Sequence, residues 1–247
     1  MHQVLCTPQR WARPHRDSRT WRNLDWLLRG LGKWVPRGKH LPWLILTATL
    51  VLRRFNSIQA LSETSFAGLT KLELLMIHGN NIPSIPDGAL RDLSALQVFK
   101  FSYNKVRVIT RHTLQGLSSL MRLHMDHNRI EFVHPQAFQG LLSLRLLHLE
   151  GNLLHQLHPD TFCTFTFLDH FRLSTVRHLY LADNALQALP DGMLQNMPLL
   201  ENLYLHGNPW ACGCGMAWLL GWGARSRGKA GRADLAGGSA RTLFHFP

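Results

Sequence analysis

The stretch LELLMIHGNNI, residues 72–82, decides how this chain folds. Its apolar residues fall at Leu72, Leu75 and Ile77, an asparagine follows at Asn80, and a further apolar residue closes the stretch at Ile82. The same spacing returns in LQVFKFSYNKV (96–106), LMRLHMDHNRI (120–130), LRLLHLEGNLL (144–154) and VRHLYLADNAL (176–186). The asparagine alone recurs at Asn56, Asn80, Asn104, Asn128, Asn152, Asn184 and Asn208, with separations of 24, 24, 24, 24, 32 and 24 residues. A fixed period of this length marks a repeat protein.

Each unit reads L-x-x-L-x-L-x-x-N-x-L. Its second half adds an apolar residue (Ile85, Ile109, Val133, Leu157), a large one (Leu90, Leu114, Phe138, Phe162) and a leucine (Leu93, Leu117, Leu141). This pattern resembles the leucine-rich repeat. Alternation at the L-x-L step predicts a short strand with one face inward, after which the far half of the unit returns the chain to start a parallel neighbour. Stacked units bury a continuous leucine core that no single unit could bury alone. The asparagine falls where the strand ends, so its amide can donate to and accept from backbone groups left unpaired at the bend. The expected fold class is therefore α/β, a leucine-rich repeat solenoid (horseshoe) with a concave parallel β-sheet and a partial carboxyl-terminal cap helix.

Counting back from Asn56, the inward positions of the first strand are Ala48, Val51 and Arg53, and a charged residue in a core slot is costly. From Phe55 onward the inward positions are apolar again, at Ile58, Leu61, Phe66 and Leu69. The chain thus divides into an atypical basic leader (1–54), a repeat array (55–208) with a longer unit at 144–175, a partial cap (209–222) and a Gly, Ala and Arg-rich tail (223–247) without apolar period, read as disordered. Lys and Arg number 11 against 2 acids in the leader, 11 against 12 in 55–214 and 5 against 1 in 215–247. The basic excess belongs to the flanks, so a nucleic-acid face on the folded unit is not expected. Residues 41–52, LPWLILTATLVL, are too short to span a bilayer and lie too far from the start for an ordinary signal peptide.

At the other end, ENLYLHGNPWACGCGMAWLLGW (201–222) resembles the cysteine-flanked cap of extracellular leucine-rich repeat proteins. Pro209, Trp210, Cys212, Cys214, Trp218, Leu219 and Trp222 match that cap. Trp218 and Trp222, at i and i+4 of an amphipathic helix, would lie over the last leucines and seal the core. In the family the two cysteines each bond to a later one, and no cysteine follows Cys214 here. Cys6 and Cys163 lie in the leader and on the returning side.

The stretches FNSIQALSETSFAGLTKLELLMIHGN (55–80), IPSIPDGALRDL (82–93), EFVHPQAFQGL (131–141), LHLEGNLLHQLHPDTF (147–162) and FRLSTVRHLYL (171–181) narrow the resemblance. Over about residues 55–222 they are similar to the amino-terminal repeats of the adlican family of matrix-remodelling-associated proteins. The resemblance implies a secreted, extracellular-matrix binding module. Against that family this chain lacks the amino-terminal cysteine cap, the second half of the other cap and the immunoglobulin-like domains, and it reads as a truncated or alternatively joined form.

Residues alternating with the strand leucines form columns on the concave face. One holds Met76, Lys100, His124, His148, Tyr180 and Tyr204; the next holds His78, Ser102, Asp126, Glu150, Ala182 and His206. With Tyr103, the candidate partner-binding residues are Met76, His78, Lys100, His124, Asp126, His148, Glu150, Tyr180, Tyr204 and His206. Tyr180 and Tyr204 beside His206 make an amphipathic patch of the kind enriched in interfaces. His124, His148 and a carboxylate fall within reach of one zinc ion across strands about 4.8 Å apart. They lack the close Cys or His pairs of structural zinc sites, so they are read as solvated imidazoles, and no metal or cofactor is expected. In the longer unit, Phe162, Phe165, Phe167 and Phe171 suggest either an aromatic loop or rings filling the returning side of the core.

No catalytic motif is found: there is no G-x-S-x-G elbow, no H-E-x-x-H and no G-x-G-x-x-G after a strand. GARSRGKA (223–230) approaches a phosphate-binding loop, but Ala230 stands where Ser or Thr is needed. The expected function is a non-catalytic protein–protein interaction module of matrix or adhesion type, with a protein ligand and neither nucleic acid nor membrane span. The competing reading is a truncated, poorly secreted or unstable fragment without a dedicated activity.

Overall fold

The computed structural model describes residues 49–51, 58–165, 170–172, 175–191, 193–211, 218–219 and 233–234. Arg53, Asn56, Phe167, Cys6, Cys212, Cys214 and Trp222 lie outside them. Twelve strands are described: β1 (Thr49–Val51), β2 (Leu74–Met76), β3 (Val98–Lys100), β4 (Val108–Ile109), β5 (Arg122–His124), β6 (Phe132–Val133), β7 (Leu146–His148), β8 (Cys163–Phe165), β9 (His170–Arg172), β10 (His178–Tyr180), β11 (Asn202–Tyr204) and β12 (Ala233–Asp234).

The main sheet has eight parallel strands in the order β1-β2-β3-β5-β7-β10-β11-β12. The middle residue of each central strand points inward: Leu75, Phe99, Leu123, Leu147, Leu179 and Leu203 are all buried. The neighbouring repeat positions Ile77, Phe101, Met125, Leu149, Leu181 and Leu205 are buried with them, forming one core with the returning-side residues Leu90, Leu114, Phe138 and Phe162. Phe138 and Phe162 stack with ring centroids 5.9 Å apart.

The asparagine ladder holds the bends. Asn104 donates through Nδ2 to the carbonyls of Phe101 and, one repeat back, Ile77, while its Oδ1 accepts from the amide of Ile82. Asn128, Asn152, Asn184 and Asn208 repeat the arrangement. Each therefore ties two neighbouring units together as well as closing its own turn.

At β1 the register departs from the 24-residue count. Leu50 pairs with Leu75, where that count would set Val51 opposite Leu75. Val51 in turn pairs with Met76. Ile58 keeps the regular spacing, its carbonyl accepting from the amide of Asn81 as that of Ile82 accepts from Lys105.

The longer repeat leaves the main sheet unbroken. His178 pairs with Leu146 and Leu179 with Leu147, and the Arg177 amide donates to the Arg145 carbonyl as in shorter repeats. The additional residues follow Phe162 and include an antiparallel pair, β8 with β9. Of its phenylalanines, Phe162 fills the core.

On the returning side β4 and β6 form a second, two-stranded parallel ladder, pairing Val108 with Phe132 and Ile109 with Val133. Beyond β11, Trp210 packs on the core and donates through Nε1 to the Leu205 carbonyl at 3.0 Å. Trp218 also packs there, and its helical neighbour Leu219 is buried. β12 falls within the 223–247 segment; it joins through backbone pairing to the edge of β11, which requires no apolar period.

Candidate functional site

The three-residue strands turn their first and third residues away from the core. Met76, Lys100, His124, His148, Tyr180 and Tyr204 consequently stand side by side in register, all half-buried. From His124 onward this column is a run of rings. His124 meets His148 edge-on at 5.6 Å, His148 lies 4.5 Å from Tyr180, and Tyr180 stacks on Tyr204 at 4.3 Å with planes 5° apart. The strand spacing itself sets these separations.

Two residues further along, Asp126 is buried beneath the polar centre. Its Oδ1 accepts from the Ser102 hydroxyl at 2.6 Å and lies 3.5 Å from His148 Nδ1, while its Oδ2 lies 3.2 Å from His127 Nδ1. Burial pushes its carboxyl up, but the Ser102 hydroxyl, His148 and His127 together outweigh that and hold it below its ordinary value. The other ring nitrogen of His148, Nε2, lies 3.1 Å from Glu150 Oε2. His124 is depressed to about 4, first by burial and then by His148 and Lys100, with Arg122 adding to them and Asp126 opposing. It therefore stands neutral at ordinary pH. Burial, reinforced by Tyr204 and Glu150, raises the Tyr180 phenol.

His206, on the column next to the Tyr180–Tyr204 stack, is half-buried. It comes together with Glu150 and Asp183, one ligand atom of each within 4.8 Å of the others. His78 is half-buried in the same column, and Ala182 is fully buried there. Tyr103 is among the most exposed large apolar side chains and stacks on His127 at 4.4 Å. Of the cap residues, Pro209 is exposed, Trp210 and Trp218 pack on the core, and Cys212, Cys214 and Trp222 lie outside the described residues.

Asp183 was missed in reading the sequence, as was the column of first strand positions, where Asn202 Nδ2 and His178 Nδ1 meet at 2.7 Å. A signal for Asp183 exists: it occupies the slot just before the ladder asparagine, held elsewhere by Gly79, Gly151 and Gly207. Among the described residues all six of that slot, Tyr103, His127 and Asp183 included, have positive φ.

No helix among the described residues is long and apolar enough to cross a membrane. A leucine-rich repeat model matches residues 47–97, 70–130, 118–174 and 164–209. Over 174 residues, 70% of this chain, the sequence is 86% identical to human matrix-remodeling-associated protein 5, of which the match covers 6%. It is 57% identical over 52 residues to human immunoglobulin superfamily member 10, covering 21% of this chain and 2% of that one. It is 44% identical over 46 residues to human platelet glycoprotein IX, covering 19% of this chain and 26% of that one. The chain thus spans a small part of the length of the relatives it matches. The repeats, the register of the sheet and the matched segments together place this chain in the leucine-rich repeat family.

Proposed function

We propose that this chain is a non-catalytic protein-binding module of extracellular-matrix or adhesion type, which engages a protein ligand through the concave face of its sheet. The observation that carries the reading is the row of half-buried rings His124, His148, Tyr180 and Tyr204. Aromatic side chains that are partly dehydrated and locked by stacking lose little further entropy on contact, and they are the residues from which interface hot spots are built. Met76 and Lys100 extend the row at one end; His78, Asp126, Glu150 and His206 flank it with polar groups, and Tyr103 stands at its rim. An interface of this make-up, with rings at its centre and polar groups at its border, suits a folded protein partner. The similarity to matrix-remodeling-associated protein 5 supports an extracellular setting and a matrix or cell-surface ligand.

The test is binding of the purified full chain to a panel of matrix proteins and cell-surface ectodomains. The expected outcome is saturable binding to at least one member, weakened at least ~10-fold in Tyr180→Ala/Tyr204→Ala. Phe132→Ala, on the returning-side ladder, should leave the same binding unchanged. Equal binding by all three proteins would remove the concave face from the reading. Recovery of tagged chain in the culture medium, as against the lysate, tests the extracellular setting.

A further inference from the structure

The polar centre of the concave face contains a built donor set. His124 and His148 stand directly opposite one another on β5 and β7, and Asp126 projects from the same face two residues beyond His124. One ligand atom from each of the three lies within 4.8 Å of the others. We propose that His124, Asp126 and His148 bind a zinc ion, leaving a fourth position for water or for a donor on a bound partner.

Ligand atoms on one tetrahedral zinc, with bonds of ~2.0–2.2 Å, stand about 3.3 Å apart. His148 Nδ1 and Asp126 Oδ1 are already 3.5 Å apart. The His124 ligand atom lies within 4.8 Å of the other two, so the set closes on a metal when the His124 ring, edge-on to His148, approaches them by at most about 1.5 Å.

The surroundings argue for a metal site over a casual cluster. A metal-bound imidazole is held by a carboxylate on its second nitrogen. His148 has that arrangement, with Nδ1 turned to Asp126 and Nε2 3.1 Å from Glu150 Oε2. Asp126 is fixed in turn by Ser102 on one oxygen and His127 on the other. Two imidazoles and a carboxylate with an open position form a donor set suited to zinc. The neighbouring cations, Lys100 and Arg122, oppose the ion's charge, and Asp126 acts against them.

Zinc and cobalt(II) are titrated into the purified full chain, with a chromogenic chelator as competitor for zinc. The expected result is one zinc equivalent that His124→Ala or His148→Ala weakens at least ~10-fold, with exposed His155→Ala as an unaffected control. Glu150→Gln keeps the shape of the side chain and should weaken the same equivalent ~10-fold or more through its contact with His148; because Glu150 also stands with Asp183 and His206, Asp183→Asn should leave that equivalent unchanged, and the pair of variants decides the matter if an alanine variant loses its fold. Cobalt bound at this site shows visible d–d bands without a thiolate charge-transfer band. Absence of saturable zinc binding, zinc binding indifferent to all three substitutions, or a cobalt spectrum carried by thiolate would overturn the proposal. The site stands on its own geometry, so failure of the concave-face binding reading would leave it intact.

Discussion

Asn128 shows what a single side chain does in this molecule. Its buried amide donates to the carbonyls of Phe101, Met125 and Asp126 and accepts from the amide of Val106, all groups that water cannot reach once the repeats are stacked. Leaving a buried backbone group unpaired costs about 1–3 kcal/mol. Asn128→Ala should therefore lower stability by about 3 kcal/mol in urea unfolding, and Asn80→Ala, in a less buried turn, by less. A second prediction belongs to His124, which faces His148, Lys100, Arg122 and Asp126. Its pKa of about 4 in the folded chain lies below the ordinary 6.5, so the unfolded chain takes up the proton first as pH falls. The contribution to stability is full above 6.5 and is lost on going down towards 4. Because the ring is partly exposed, solvent screening reduces it to about 1 kcal/mol. His124→Gln should narrow the difference between the unfolding free energies measured in urea at pH 7.5 and pH 5 by that amount. The ladder was legible from spacing alone, because only asparagine carries an amide donor and acceptor on so short a stem. The positive φ of Tyr103, His127 and Asp183 was not, since each looks like an ordinary surface residue until aligned with the glycines of the same slot.

At the scale of elements, the turns on the returning side set how closely units approach. Gly116 has a φ of +97°, and a Cβ added there would stand 2.3 Å from the carbonyl oxygen of Arg91, in the preceding repeat. Neither backbone can yield without disturbing the stack. Gly116→Ala should cost more than about 2 kcal/mol, whereas Gly140→Ala, with positive φ but open space around it, should cost about 1 kcal/mol; thermal unfolding of the two variants separates steric from conformational strain. Six central strands could be read from apolar alternation because each buries its middle residue. The β4–β6 ladder escaped that reading: Val108 and Phe132 pair through the backbone while remaining exposed, so their hydrophobicity carries no inward signal. The antiparallel pair of β8 and β9 escaped it too, since an insertion that leaves the main register intact also leaves the repeat pattern intact on either side.

The whole molecule is close to one-dimensional, each repeat resting on its neighbours, and its properties vary along and across that axis. Charge is distributed along it: the array is near neutral between basic flanks. Chemistry is distributed across it, with aliphatic side chains inside and rings, imidazoles and carboxylates gathered on one face. The columns were legible because parallel strands in register convert a repeat period into a straight line. The pairing within them was not, because whether Asp126 turns to Ser102, His127 or His148 depends on side-chain geometry that spacing leaves open. The shift at β1 likewise needed coordinates, since the repeat count pairs Val51 with Leu75 and the backbone pairs Leu50 with it.

The chain contains three tyrosines, and Tyr103, Tyr180 and Tyr204 all belong to the ring-bearing face or its rim. Phenol-directed labelling is consequently a footprint of that face alone. Tyr103, 49% exposed, offers an open target, and the stacked pair offers a shielded one. Iodination or nitration mapped by mass spectrometry thus reports when the face is covered, with no tag or fluorophore attached and whatever the covering molecule is.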